Sequence, residues 1–334
     1  MTIWRIATLR PDLLAAIIAR TAMEGKPMLG LVTTPDGAEP MELRELAEPQ
    51  PQRNEAVVTV HAFSLNRGEL RSIRNNGEGW IPGQDVAGVV LHAAADGSGP
   101  PAGARVVALT DEFGWAQRVA VAGHRMAVLP DDVGFAEAAV LPVAGLTALR
   151  TLRHGAPLLG KRVLVTGAAG GVGTIAVQLA ARSGARVTAV VGAPERAAGL
   201  RDLGAHEVVH GIEQAQGRFG LILESAGGAS LAHAIKLVEG KGTVVVYGNS
   251  SGEPTPIAFA DFRPAPNSRV QSFSYFTSES EDRFAPDLAL LVSLIADGSL
   301  APQIGVQRSW RDFAAVADQL RDRRVAGKAV LLVD

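Results

Sequence analysis

Four glycines, Gly167, Gly170, Gly171 and Gly173, punctuate the stretch VLVTGAAGGVG at 163–173. The chemistry such a cluster serves is pyrophosphate binding. The turn must be tight, and the backbone has to approach a phosphate with no β-carbon in the way. The helix that follows then offers unpaired N–H groups and the positive end of its dipole. Val172 sits inside this turn as it enters the helix. The pattern is not a full GxGxxG, because Ala168 holds the first glycine place ahead of Gly170 and Gly173. A glycine-rich turn that merely packs tightly is the plainer alternative, and the flanking elements argue against it.

A second chemical signal lies past the next strand. Dinucleotide sites for NAD usually carry Asp or Glu about 20 residues beyond the glycines, bonded to the ribose hydroxyls. Here the chain reads Gly192-Ala193-Pro194-Glu195-Arg196. No carboxylate stands at the strand tip, and Arg196 lies one helical step on, where a guanidinium could meet a 2′-phosphate. Glu195 argues mildly the other way, and a solvated helix residue is the second reading of Arg196. The balance favours NADPH over NADH.

These residues need a strand, a helix and a second strand to position them. Val163 to Val165 is a short β-branched run suited to a buried parallel strand. The apolar period then becomes helical, with Val172, Ile175, Ala176 and Leu179 on one face, and Gly184 as a C-terminal stop. Gln178, Arg182 and Ser183 fall elsewhere on that helix. Arg186 to Val191 closes a β-α-β unit of about 30 residues. Strands are predicted again at His206–Val209, Phe219–Glu224, Thr243–Tyr247 and Arg269–Phe273, with a helix over Ala229–Glu239. That makes six strands, the number in two mononucleotide-binding halves. Asp287–Ala296 and Trp310–Arg321 read as amphipathic helices, and Ala329–Val333 as a last strand.

Upstream, Met28 to Leu129 is β-rich. Leu29–Thr33 and Met41–Leu46 predict a hairpin around Thr34-Pro35-Asp36-Gly37, and Glu55–Ser64 alternates like a strand with one buried face. Asn66–Asn75 fits a short helix or turn. Pro82–Val90, Arg105–Leu109 and Ala116–Val121 supply further strands, so a barrel-like first domain is expected. Phe135–Arg153 is helical in period, with Pro142 starting or kinking a helix. Residues 1–27 stand apart. Asp12–Ala19 could form a short helix flanked by arginines, as in a targeting peptide, or the segment is an added extension ahead of a start at Met28.

Composition narrows the class. The 334 residues suggest two domains, and 47% hydrophobic with 20% charged residues is a globular balance. A net charge of −2 leaves no basic footprint for nucleic acid. With no cysteine, disulfides and thiolate zinc sites are excluded. No apolar run reaches a membrane span.

Three stretches, PGQDVAGVV at 82–90, PVAGLTALRTL at 142–152 leading into VLVTGAAGGVG, and GKAVL at 327–331, resemble the medium-chain dehydrogenase/reductase superfamily. Within it, the chain is most similar to zinc-independent NADPH:quinone oxidoreductases and related enone reductases, over about residues 28 to 334. The resemblance implies an α/β fold with a GroES-like β-rich catalytic domain at 28–141 and 276–334. A Rossmann-type doubly wound parallel sheet then spans 142–275, and 1–27 is an N-terminal extension. The active site is expected in the cleft between the domains. Thr147 is implied as a nicotinamide contact, Gly170, Gly171, Val172 and Gly173 as the phosphate turn, and Gly192, at the end of the second strand, as a further cofactor-binding residue. Arg196 is implied as the phosphate-binding basic residue, and Tyr247, Gly248, Asn249, Ser250 and Ser251 as a cofactor-lining stretch. Asn66 matches an asparagine that lines the substrate pocket. A tyrosine often stands five positions on, where this chain has Arg71. A cytoplasmic homodimer acting on a small molecule, without nucleic-acid or membrane partners, is the accompanying expectation.

For mechanism, zinc would need cysteine or matched histidine and carboxylate ligands, and His61, Asp85 and Glu69 match no metal spacing. His61 reads as a core or rim histidine and Asp85 as a loop-ordering carboxylate. Hydride transfer from NADPH to a quinone or α,β-unsaturated ketone is then the simplest reaction, with the protein supplying orientation and hydrogen-bond donors. Asn66 is the expected donor to the carbonyl oxygen. Arg71 could assist, or could be a surface arginine paired with Glu69 or Glu78. Two rivals stand: a nucleotide-binding structural or sensing module without turnover, and an enoyl-thioester reductase. The latter would need a basic patch, and no run of Lys or Arg is present.

Overall fold

A computed structural model describes residues 27–34, 40–275 and 284–334. The helix expected at 12–19 and the Pro35–Gly37 turn lie outside the described residues. The chain opens with an antiparallel pair, β1 (Met28–Thr33) and β2 (Met41–Leu46), in the register Met28 opposite Leu46. β3 (Glu55–Leu65), α1 (Arg67–Ser72), β4 (Asp85–His92), β5 (Arg105–Leu109), β6 (Arg118–Ala122) and β7 (Met126–Val128) follow. A short helix α2 (Phe135–Ala138), a π-helical turn at Leu141–Gly145 and α3 (Leu146–Arg153) lead out of this region. Pro142 sits in the first positions of the π turn, where its missing N–H costs nothing.

The second half is a parallel sheet of six strands: β8 (Arg162–Thr166), β9 (Arg186–Val191), β10 (Glu207–His210), β11 (Phe219–Glu224), β12 (Val238–Val246) and β13 (Arg269–Ser272). They lie in the order β10-β9-β8-β11-β12-β13, every neighbouring pair parallel. This is the doubly wound order, which reverses direction between β8 and β11. Helices α4 (Gly171–Arg182) and α5 (Gly228–Leu237) connect strands. Alternate residues divide between the faces: Val163, Val165, Leu221 and Leu223 join one core, and Leu164, Ile222 and Val244 another. Both faces are buried, which is why these strands read as unbroken apolar runs. α5 stops at Leu237, two residues before the expected end, because Val238 already begins β12.

The chain then returns through α6 (Phe284–Ala296), β14 (Ile304–Ser309), α7 (Phe313–Arg321) and β15 (Lys328–Leu332). β15 pairs antiparallel with β3, Ala329 opposite Leu65, and completes a sheet ordered β14-β15-β3-β4-β5-β7, with β6 also on β3. β3 departs from the expected one-faced burial: it is buried on both faces along most of its length, because it has neighbours on either side and sits mid-sheet. Phe63, Trp115 and Trp310 fill the core beneath it, with ring centres 5.7 and 6.4 Å apart. The return of the C-terminal strand places Lys328 next to both the glycine turn and the end of β3.

Candidate active site

A cleft of about 1450 Å³ runs along the carboxyl ends of β8, β11 and β12. Open α/β sheets bind ligands at such a switch point. Its floor is the glycine turn. Gly167 takes φ 60, a left-handed conformation that a β-carbon resists. The Gly170 N–H closes onto the Gly167 carbonyl at 2.9 Å, and α4 begins at Gly171. A side chain at Gly173 would run into the Gly167 carbonyl and the Ala168 backbone. The first turn of α4 thus presents its unpaired N–H groups and Val172 to the cleft.

The turn is held from the other half of the molecule. Gly170 bridges to Gly327, whose N–H donates to the Ala169 carbonyl at 2.9 Å. Lys328 lays its aliphatic stem against Gly171 and carries its ammonium through to the β-rich half. There Nζ donates to Asn66 Oδ1 (2.6 Å), Asp85 Oδ2 (2.9 Å) and the Leu65 carbonyl (3.1 Å). Asp85 is fully buried and also accepts from Ser64 Oγ (2.6 Å), Asn66 Nδ2 (2.8 Å) and the Val143 N–H (2.7 Å). Glu69 lies beside it and accepts from the Asn66 N–H (2.8 Å), Asn66 Nδ2 (3.0 Å) and the Gln84 N–H (2.9 Å). Burial and the neighbouring Asp85 push the Glu69 carboxyl up to about 8, against the pull of Lys328.

This network corrects the role expected of Asn66. Both hydrogens of its amide are already given to carboxylates, and its oxygen accepts from Lys328, so no donor remains for a substrate carbonyl. Two buried carboxyl groups need donors to offset their desolvation, and the Asn66 amide supplies one to each. Asn66 still lines the cleft, and so does Gln84, whose side-chain amide makes no hydrogen bond among the described residues. Asp85 is the first residue of β4, and its hydrogen bonds tie that strand to Ser64, Asn66 and Val143. His61 points outward from β3 and stacks on Phe135 at 4.7 Å, a rim position.

Arg71 also departs from expectation. It pairs with neither Glu69, which is buried in the network, nor Glu78, which meets Arg44 at 3.3 Å. Its guanidinium reaches across the cleft to the carbonyls of Asn249 (3.1 Å) and Ser250 (3.4 Å). Arg196 is half-buried on a 3-10 turn, Pro194–Ala197, instead of being a solvated helix residue, and donates to the carbonyls of Arg323 (3.0 Å) and Val325 (3.1 Å). Arg323 in turn donates to the Ser250 carbonyl at 3.2 Å. Burial and the Arg323 charge hold the Arg196 guanidinium below the usual arginine range, with Glu195 opposing them. Gly192, at the tip of β9, leaves open space where a side chain would project.

The remaining expected residues line the same cleft. Thr147 is buried on α3, and Tyr247 to Ser250 follow β12. The Tyr247 hydroxyl donates to the Thr166 carbonyl at 3.4 Å, and burial raises its pKa. Ser250 and Ser251 N–H groups bond the carbonyls of Ser225 and Ala226, fixing this loop to the end of β11. Lys328, Glu69, Gln84, Arg67 and Arg323 were not singled out as binding or catalytic residues from the sequence. Arg67, Glu69 and Gln84 come from one stretch, whereas Arg323 and Lys328 come from the far end of the chain, and only the return of β15 and α7 to the first sheet brings the two groups to one wall. No described helix is long and apolar enough to cross a membrane.

Comparison with known proteins assigns the family. The model of the zinc-binding dehydrogenase family matches residues 171–293. Rat quinone oxidoreductase is 30% identical over 317 residues, which cover 89% of this chain and 95% of that protein. The chain belongs to the quinone oxidoreductase family of medium-chain dehydrogenases/reductases. A chloroplast envelope quinone oxidoreductase homologue of Arabidopsis thaliana is 40% identical over 189 residues; this match spans 57% of that protein's length. Escherichia coli quinone oxidoreductase, solved in complex with NADPH, superposes with a TM-score of 0.80 at 22% identity, covering 91% of this chain and 99% of that one. The fold of this family member is therefore GroES-like plus Rossmann-type, and the protein is an oxidoreductase. Zinc appears in the family model's description, yet no described group of three or more His, Asp or Glu is placed to hold a metal.

Proposed function

We propose that this oxidoreductase transfers a hydride from NADPH to a quinone or an α,β-unsaturated carbonyl compound without a metal. The observation that carries the cofactor assignment is the carboxylate-free tip of β9 at Gly192, flanked by Arg196 and Arg323 across the cleft from the glycine turn. The residues fit a 2′-phosphorylated dinucleotide: a turn with no room for β-carbons, a helix N-terminus for the pyrophosphate, and guanidinium groups where a ribose-binding carboxylate would stand. When bound, NADPH supplies the hydride, and a conjugated acceptor spreads the negative charge that develops on its oxygen. Thr147 contacts the nicotinamide, and the Tyr247–Ser250 loop lines the cofactor along the cleft. The buried Lys328–Asp85–Glu69 network fixes Asn66 as a rigid wall. Gln84 offers its side-chain N–H to the substrate oxygen, and the final proton comes from solvent. Removing one such donor costs about 10²-fold or more in kcat. Gln84→Leu is therefore expected to lose that factor while NADPH affinity stays unchanged.

The four residues of β13 form an exposed sheet edge, with Val270 41% exposed. A homodimer joined along this edge is part of the proposal. The test of function is titration calorimetry with NADPH and NADH, followed by NADPH oxidation with a panel of p-quinones, enones and an enoyl thioester. Tight NADPH binding with quinone or enone turnover is expected. Binding without turnover across the panel would leave only a nucleotide-binding module, and preference for the thioester would install the rival that the arginine cluster reopens.

A further inference from the structure

α1 carries a cation that the cofactor assignment leaves unused. Arg67 is exposed on the cleft wall and makes no hydrogen bond or ion pair among the described residues. Arg323, Arg71 and Arg196 line the same cleft; partial burial, and after it the charges of these three guanidinium groups, hold Arg67 below the usual arginine range. Those three are fixed by main-chain carbonyls: Arg71 by Asn249 and Ser250, Arg323 by Ser250, and Arg196 by Arg323 and Val325. None of the four pairs with a carboxylate, although Glu195 faces Arg196. Like charges held this close are unfavourable unless an anion of high charge density joins them.

The halves of the molecule share the cluster. Arg67 and Arg71 come from α1, at the end of β3, whereas Arg196 follows β9 of the parallel sheet and Arg323 lies on the return past α7. Carbonyl bonds set the positions of three and leave Arg67 with its full set of donors unspent. A phosphate monoester dianion, with three oxygens for bidentate forks, is the ligand such a group suits.

We infer that Arg67 is a specificity residue for the cofactor's 2′-phosphate, reaching it from the β-rich half while Arg196 and Arg323 meet it from the other side. Selectivity for NADPH over NADH is then a property of both halves, and not of the segment after β9 alone. This rests on the proposed use of NADPH. The pyrophosphate has the same chemistry, so the test must separate the two.

The experiment compares Arg67→Gln and Arg67→Lys with the unaltered chain by calorimetric titration of 2′,5′-ADP and 5′-AMP, which differ only in the 2′-phosphate, and of NADPH and NADH. Loss of one charge-assisted interaction weakens 2′,5′-ADP and NADPH about tenfold to a hundredfold in Arg67→Gln. 5′-AMP and NADH should be unmoved, and Arg67→Lys should recover part of the loss. An equal loss for all four ligands, or no loss for any, would overturn the inference. Failure of the unaltered chain to bind NADPH or 2′,5′-ADP would instead remove the cofactor assignment itself. Unchanged thermal unfolding of the apo variants verifies that a binding loss is not a folding loss.

Discussion

Replacing Lys328 with methionine isolates what the buried cation does. Methionine keeps the unbranched stem that packs against Gly171 and removes only the ammonium. Asp85 at 0% exposure and Glu69 at 5% are then left in one pocket with no positive charge. Removing one partner of a buried pair costs about 3–5 kcal/mol. Three donors remain on Asp85, from Ser64, Asn66 and Val143, and they hold the loss toward the lower end of that range. Asn66 Oδ1 and the Leu65 carbonyl also lose their donor, which works the other way.

A loss of about 3 kcal/mol is therefore expected for Lys328→Met, read from the urea midpoint at constant slope. The double variant Lys328→Met, Asp85→Asn discriminates between lost charge balance and lost packing. It removes the stranded carboxylate along with the ammonium, so it should be less destabilised than the single variant by at least about 1 kcal/mol. If the double variant is as unstable as the single one or worse, or if Lys328→Met alone costs under about 1 kcal/mol, the charge argument is wrong. The binding consequence follows from position. The residue before Lys328 holds the glycine turn, so NADPH affinity should fall with stability in Lys328→Met and recover in the double variant.

Glu69 supplies a pH dependence. Its carboxyl is raised in the folded state to about 8, above its ordinary value of 4.5, so the folded chain holds a proton that the unfolded chain has released between those values. Stability should accordingly fall as pH rises from about 4.5 to 8 and level off above, by at most about 1.4 kcal/mol per pH unit. Urea unfolding from pH 6 to 9 should show this slope, and Glu69→Gln should flatten it; an identical slope in the variant would refute the assignment. At the sheet edge, Val270→Glu should convert a dimer to monomer in size-exclusion chromatography with light scattering, and a monomeric parent chain would end that proposal.

Most of the parallel half was legible, because both faces of its sheet are buried and the signal is a plain apolar run. Arg186–Val191 and Phe219–Glu224 are observed as expected, and the six-strand count matches the observed sheet. β14 was not foreseen. It lies at the edge of its sheet, paired only with β15, and its Gln307 and Arg308 are exposed, so no alternating apolar pattern marks it. Alternation of polar with apolar residues predicts a one-faced β3. Its neighbours β15, β4 and β6 cover what periodicity assigned to solvent.

The site divides along the same physical line. A glycine turn is local: its spacing, the strand before it and the helix after it all fall in the one stretch from Arg162 to Arg182, so it can be located without the fold. Charge constellations are not local. Arg67, Arg196 and Arg323 lie more than a hundred residues apart, so the fold builds a basic patch where the sequence shows no basic run. Asn66 shows the converse. Its identity and place in the cleft were legible, but whether its amide is free depends on Lys328, 262 positions away. A hydrogen-bond donor is available for chemistry only if nothing closer claims it. That condition lies in the tertiary contacts, and it is why the proposed carbonyl contact falls to Gln84 and not to Asn66.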